Sequence, residues 1–156
     1  MMLYLIYLIA TALFVGLDQL VKKVIVDSIG LGEKIVLIPG FFSLTNVHNY
    51  GAGFSILQNA RLLLTLIAVV AIVAVTYLLI KTDKKDLLSI VSYLFIISGA
   101  TGNLIDRIRL GYVVDFLDFI ILGYDYPVFN VADCFITVGC FLLIIQVLRE
   151  GKHAGN

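Results

Sequence analysis

From Leu62 to Ile80 the sequence carries no charged residue, and Arg61 and Lys81 close the run at either end. A helix needs about 20 mainly apolar residues to cross the hydrocarbon of a bilayer, so this stretch has the length and character of a membrane span. Three others match it: Leu3 to about Ile25, Leu87 to about Ile108, and Val131 to Leu148. Backbone exposed to lipid must satisfy its own hydrogen bonds, which leaves helices and closed barrels. A barrel would need segments of roughly ten residues alternating between apolar and polar, and these runs are continuous instead. The expected fold class is therefore an all-α integral membrane protein, a four-transmembrane-helix bundle forming a single membrane domain over residues 1–156. The composition agrees. Of 156 residues 61% are hydrophobic and 14% charged, with mean hydropathy +1.06, whereas soluble domains average about 25% charged.

Four spans put both termini on one side, together with the loop "KTDKKD" (81–86). The other side receives two long connections, about 27–60 and 109–130. Lys and Arg divide almost evenly between the sides, and only the lysine density of the short loop favours the cytoplasm for it. Within the first connection "EKIVLIPGFFSLTNVHN" holds two short apolar runs around Pro39-Gly40, a pair suited to the centre of a type II turn. A small hairpin or curved sheet at the membrane surface is expected there. "NYGAGF" (49–54) reads as a tight turn whose glycines allow close backbone approach.

Several classes are excluded or unsupported. Eleven basic and eleven acidic residues give zero net charge and no support for a nucleic-acid partner. Cys134 and Cys140 fall on different faces of one helix and read as packing residues. His48 and His153 stand far apart, and no metal, haem or iron–sulfur spacing occurs. The leading "MMLYLIYLIATALFVGL" lacks the basic start and cleavage pattern of a secretory signal, so it is expected to remain as an anchor.

Ionisable groups in a membrane cost about 2.5–3.5 kcal/mol each on insertion scales, so their placement carries information. Asp18 and Lys22 share a face near the end of the first helix. Gly99, Asn103, Asp106 and Arg107 stack along one face near the end of the third. Asp133 opens the fourth, with Asn130 placed as its N-cap and Asp133 at the third helical position. Each has a plain structural reading: an interfacial ion pair, close helix packing at Gly99, a solvated helix end, a cap. Asp118 and Asp125 read as surface-loop residues. The coincidence is harder to dismiss, because these segment ends fall on one side and each brings Asp or Asn. They describe a polar site near one membrane face. No HExxH, GxSxG or SxxK motif is present. The chemistry left is a carboxylate dyad activating water, one acid protonated and the other ionised. Spacing does not choose the pair among Asp18, Asp106, Asp115, Asp118 and Asp133. The competing classes are a proton-coupled membrane transporter, which would place acids near the midplane of broken, repeated helices, and a non-catalytic membrane subunit.

"DQLVK" (18–22), "NYGAGF" (49–54), "GATGNLIDR" (99–107), "VVDF" (113–116) and "FNVADCFI" (129–136) resemble, in order and spacing, lipoprotein signal peptidase (signal peptidase II). The resemblance covers all four spans. It implies a bacterial membrane aspartic endopeptidase with a small extracytoplasmic β-cradle and a short surface helix. Such enzymes cut diacylglyceryl-modified prolipoproteins just before the lipidated cysteine. It implies Asp115 and Asp133 as the catalytic dyad, with Asp18, Lys22, Asn49, Gly99, Asn103, Asp106, Arg107, Phe116, Asn130 and Ala132 matching the other motif positions. It further implies no cofactor or metal, and membrane lipids and the lipid-modified precursor as partners, with no obligate protein partner. The implied location is the bacterial cytoplasmic (inner) membrane, multi-pass, with cytoplasmic termini and the site near the extracytoplasmic face. Gly53 stands where the family usually carries a second alanine.

Overall fold

The computed structural model describes residues 2–51, 57 and 59–154. Four helices, α1 (Met2–Ser28), α2 (Arg61–Lys81), α3 (Leu87–Arg109) and α4 (Val131–Ala154), are each long and apolar enough to cross a membrane. Between them lie strands β1 (Lys34–Ile38), β2 (Phe42–Asn49), β3 (Val113–Ile121) and β4 (Tyr124–Asp125), forming one antiparallel sheet in the order β1-β2-β3-β4. No short surface helix occurs among the described residues, and residues 52–54 of the "NYGAGF" turn lie outside them.

α3 is the hub, packing against α1, α2 and α4. Half of its span is buried (50%), against 11% for each of the others. The outward faces of α1, α2 and α4 present Leu8, Leu13, Leu62, Val70, Phe141 and Leu148. Lipid can cover such faces without the penalty that water would impose. Contact between α3 and α4 depends on missing side chains. A Cβ on Gly99 would lie 2.2 Å from the Ala132 carbonyl oxygen, and one on Gly139 would lie 2.8 Å from that of Ser92. Small residues at such crossings let backbones approach where no hydrophobic effect drives association. Ser92 and Ser98, both buried, donate to the carbonyls of Leu88 and Leu94 one turn earlier, so neither leaves a hydroxyl unsatisfied.

The sheet is built from local turn chemistry. Phe41 donates its amide to the Ile38 carbonyl across Pro39-Gly40 (3.1 Å), and Gly40 has φ +71°, as the expected turn requires. β3 follows α3 almost directly, through Gly111 at φ +88°. Asp106 Oδ2 ties the two together by accepting the Val114 amide at 3.3 Å. Phe129 then joins the open side of β3, accepting from the Phe116 and Leu117 amides and donating to the Leu117 carbonyl. That short bridge sets the start of α4 beside the middle of β3. Below it, Ile25, Ile29 and Phe116 form a core with Val21, Leu44, Leu117 and Val131.

One expectation is corrected. Asp118 is not a loop residue: it lies within β3 opposite Ser43, is 4% exposed, and pairs with Lys34. Asp125 is exposed, but on β4. The extended run "VVDFLDFII" continues strand pairing through both Asp115 and Asp118, and their odd separation sends them to opposite faces.

Candidate active site

Asp18 and Lys22, one turn apart on α1, face inward and are buried (0% and 3% exposed). The Lys22 ammonium bridges Asp18 Oδ2 (2.9 Å) and Asp106 Oδ2 (2.8 Å), and its third contact is Asn103 Oδ1 (3.0 Å). One buried cation thus tethers α1 to α3. Asp18 extends the tether to α4, because its Oδ1 accepts the Ala132 amide at 2.9 Å. Ala132 is wholly buried, with its Cβ beside the site of Gly102, where an added Cβ would meet Asp18 Oδ2 at 2.6 Å. Asp18–Lys22 is thus a pair buried between helices rather than a solvated one.

Asn130 stands where this network meets the two acids of the sheet and of α4. Its Oδ1 accepts the Asp133 amide (3.0 Å), while Asp133 Oδ2 accepts the Asn130 amide (3.2 Å). The first bond is the N-cap expected from the sequence; the return bond, which makes the cap reciprocal, was not expected. The Asn130 side-chain amide is left to donate to Asp115 Oδ1 (2.6 Å) and Asn103 Oδ1 (3.1 Å). Asn103 Nδ2 donates to Asp133 Oδ1 at 2.7 Å, and Asn49 Nδ2 to Asp115 Oδ2 at 2.8 Å. Every carboxylate oxygen of Asp115 and Asp133 therefore accepts one amide N–H and keeps a lone pair for something else. Both carboxyls border one cavity of about 750 Å³, with Asn49, Asn103 and Arg107 also in its wall. Burial, and next the negative charge of Asp133, raise the Asp115 pKa to about 7; the amides of Asn49 and Asn130 work against the rise.

The remaining expected residues divide by what they touch. Arg107 donates to the Gly51 carbonyl at 3.1 Å, and Asn49 Oδ1 accepts the Gly51 amide, which holds the end of β2 over the cavity. Gly99 serves the α3–α4 contact. Phe116 is 2% exposed and packs in the core beneath the sheet, away from the cavity wall. Three features were not foreseen. Gln19 donates to Asp106 Oδ1 (2.9 Å), Asp18 Oδ2 and the Gly102 carbonyl, adding a second clasp between α1 and α3. Cys134, Thr137 and Val138 line the cavity below Asp133, and of these only Thr137, one turn on from it, had a signal in its spacing. Phe41, Phe119, Ile121 and the segment 126–129 supply the opposite, apolar wall. Among the described residues no group of three or more His, Cys, Asp or Glu side chains is arranged to hold a metal ion.

Comparison with known proteins gives a consistent result. Residues 10–149 match the family model described as signal peptidase (SPase) II. The lipoprotein signal peptidase of Streptococcus thermophilus (strain CNRZ 1066) is 46% identical over 149 residues, covering 93% of this chain and 95% of that one. That of Enterococcus faecalis (strain ATCC 700802 / V583) is 43% identical over 162 residues, covering 99% and 98%. A solved bacterial membrane enzyme structure, determined by the in meso method at 2.3 Å resolution, superposes with a TM-score of 0.88 at 34% identity, covering 94% of this chain and 90% of that chain. A second, at 1.9 Å, gives 0.82 at 35% identity, covering 91% and 92%. Sharing this much sequence and architecture over nearly its whole length, the chain belongs to the signal peptidase II family of multi-pass bacterial membrane peptidases.

Proposed function

We propose that the chain is an aspartic endopeptidase that removes signal peptides from diacylglyceryl-modified prolipoproteins, cutting just before the lipidated cysteine. The observation carrying this reading is the amide cage: two carboxyls on one cavity, each oxygen held by one N–H donor. With the Asp115 pKa near 7, the pair holds a single proton near neutral pH. The ionised carboxylate takes a proton from water as the water oxygen attacks the scissile carbonyl carbon. The protonated carboxyl hydrogen-bonds the carbonyl oxygen and gives up its proton to it. When the resulting diol collapses, the C–N bond breaks, the cysteine nitrogen is protonated as it leaves, and one proton returns to the pair. No covalent intermediate with the protein is required.

Lys22, Asp18, Asp106 and Gln19 act at a distance, keeping α1, α3 and α4 in the register that sets the cage. The apolar part of the cavity, between Thr137 and Val138 on α4 and Phe119 and Ile121 on β3, suits the lipid chains and the apolar end of the signal sequence. The termini are assigned to the cytoplasm and the dyad to the extracytoplasmic side, supported by the even number of spans and the lysine-rich 81–86 loop.

The test is cleavage of a lipidated precursor by the full chain in liposomes. Asp115→Asn and Asp133→Asn should each lower turnover by roughly 10³-fold or more, since each removes a proton-transfer group. Turnover resembling that of the unsubstituted chain in either variant overturns the assignment.

A further inference from the structure

The β3–β4 hairpin turns through Leu122 and Gly123, with φ of +51° and +81°, between the paired residues Ile121 and Tyr124. A two-residue turn with both φ values positive is the setting in which Asn-Gly or Asp-Gly is favoured. Leucine is a poor choice on two counts. It is strained in the left-handed region, and here it is 103% exposed, as bare as a side chain can be. Facing water, such a residue has nothing to offset the strain.

Leu122 has apolar company. Ile121 and Tyr124 beside it are also exposed. The neighbouring β1–β2 tip adds Leu37, Ile38 and Phe41, each about half exposed. The two tips are joined, since the Ile120 amide donates to the Phe41 carbonyl at 2.9 Å. β1 itself exposes every residue, so both of its faces are bare although four of its five residues are Ile, Val or Leu. Patches of this kind mark a contact surface. The patch also runs into the cavity: Phe41 and Ile121 line it from above, and Val138, on the lipid-facing side of α4, lines it from below.

We propose that the tips of the β1–β2 and β3–β4 hairpins are inserted into the acyl region of the adjacent leaflet, with Leu122 as their anchor, so that the cavity opens sideways to lipid between them and α4. Continuity with the helix surface that lipid already covers selects this occupant over a protein. Resting on the proposed function, the opening is the route by which the precursor's acyl chains enter without crossing water.

The chain contains no tryptophan, so single Trp probes report without background. Leu122→Trp and Leu37→Trp, in the full chain reconstituted in liposomes, are compared with Val70→Trp on the lipid-facing side of α2 and Lys84→Trp in the short loop. Insertion predicts blue-shifted emission and quenching by acyl-brominated lipids close to that of Val70→Trp for both tip probes. Emission and acrylamide access like those of Lys84→Trp overturn the proposal. Shielding without quenching by brominated lipid marks a protein neighbour, a second copy included, and overturns it equally. Leu122→Asn keeps a residue at ease in the turn while removing the anchor. It should raise KM for the lipidated precursor about tenfold, the scale of one leucine side chain returned to water, with kcat held. An unchanged KM refutes the entry route. Absence of any cleavage by the unsubstituted chain would count against the proposed function alone, because the fluorescence result does not depend on turnover.

Discussion

The side-chain amide of Asn130 donates to Asp115 Oδ1 across 2.6 Å. The orientation of that amide is dictated by the other end of the group, where Oδ1 must accept the Asp133 backbone amide to cap α4. One residue thus fixes the start of a membrane helix and holds an acid on a neighbouring strand. Asn130→Ser separates the two roles, because serine caps as well as asparagine but has no amide to reach Asp115. The unfolding temperature in detergent should fall modestly, because the buried amide also donates to Asn103, while turnover falls by about 10²-fold, within the range seen when one preorganised donor is lost. The lost hydrogen bond had favoured the ionised form, so the Asp115 pKa should rise further.

The pH profile follows from the same carboxyl. Asp115 titrates near 7 because burial and Asp133 disfavour its charge. In the proposed mechanism, turnover needs one proton on the pair. As pH rises through about 7 that proton is lost from the free enzyme, both acids ionise, and kcat/KM should fall; at low pH both are protonated and no base remains. The alkaline limb of kcat/KM should therefore lie near pH 7, and in Asn130→Ser it should move to higher pH. A flat profile from neutral to pH 9 would contradict the shared proton.

Lys22 is the sole charged contact seen for Asp18 and Asp106 among the described residues. Lys22→Met would strand two buried carboxylates. Removing one partner of a buried pair typically costs about 3–5 kcal/mol. The variant should accumulate poorly and unfold at markedly lower temperature. Replacing the whole group, as Lys22→Met with Asp18→Asn and Asp106→Asn, removes the stranded charge and should recover much of the folded yield. Recovery by the triple variant, read by size-exclusion in detergent, distinguishes charge balance from simple shape.

The spans were legible in the sequence because a bilayer imposes length and apolarity on each one separately. The cap was legible for a similar reason: Asn130 and Asp133 are three residues apart and their exchange of hydrogen bonds is local. Asp115 is different. Its donors are 66 and 15 residues away, on β2 and ahead of α4, so spacing alone left it one acid among five until the family resemblance pointed to it. Asp118 shows the same limit from the other direction. Its burial comes from strand pairing with β2 and from Lys34, neither of which has a local signature. The cavity wall was hidden as well, since Phe41, Phe119 and Val138 meet only after the sheet folds over α4.

Glycine at position 99 joins packing to the site. An added Cβ would sit 2.2 Å from the carbonyl oxygen of Ala132, a backbone atom that cannot swing aside. Gly99→Ala must therefore move α4 away from α3, and Ala132 immediately precedes Asp133. The displacement falls on the 2.7 Å bond from Asn103 to Asp133 and on the 2.9 Å bond from the Ala132 amide to Asp18. Overpacking of this kind costs about 1–3 kcal/mol, and turnover should drop more steeply than stability because the acid itself is displaced. Gly16 on α1 provides the comparison, with nothing within 4 Å of an added Cβ. Gly16→Ala should hold or raise the unfolding temperature, alanine being favoured over glycine in a helix by up to about 1 kcal/mol, and should leave turnover intact. Measured side by side in detergent, equal tolerance of the two substitutions would show that α4 can shift without disturbing Asp133.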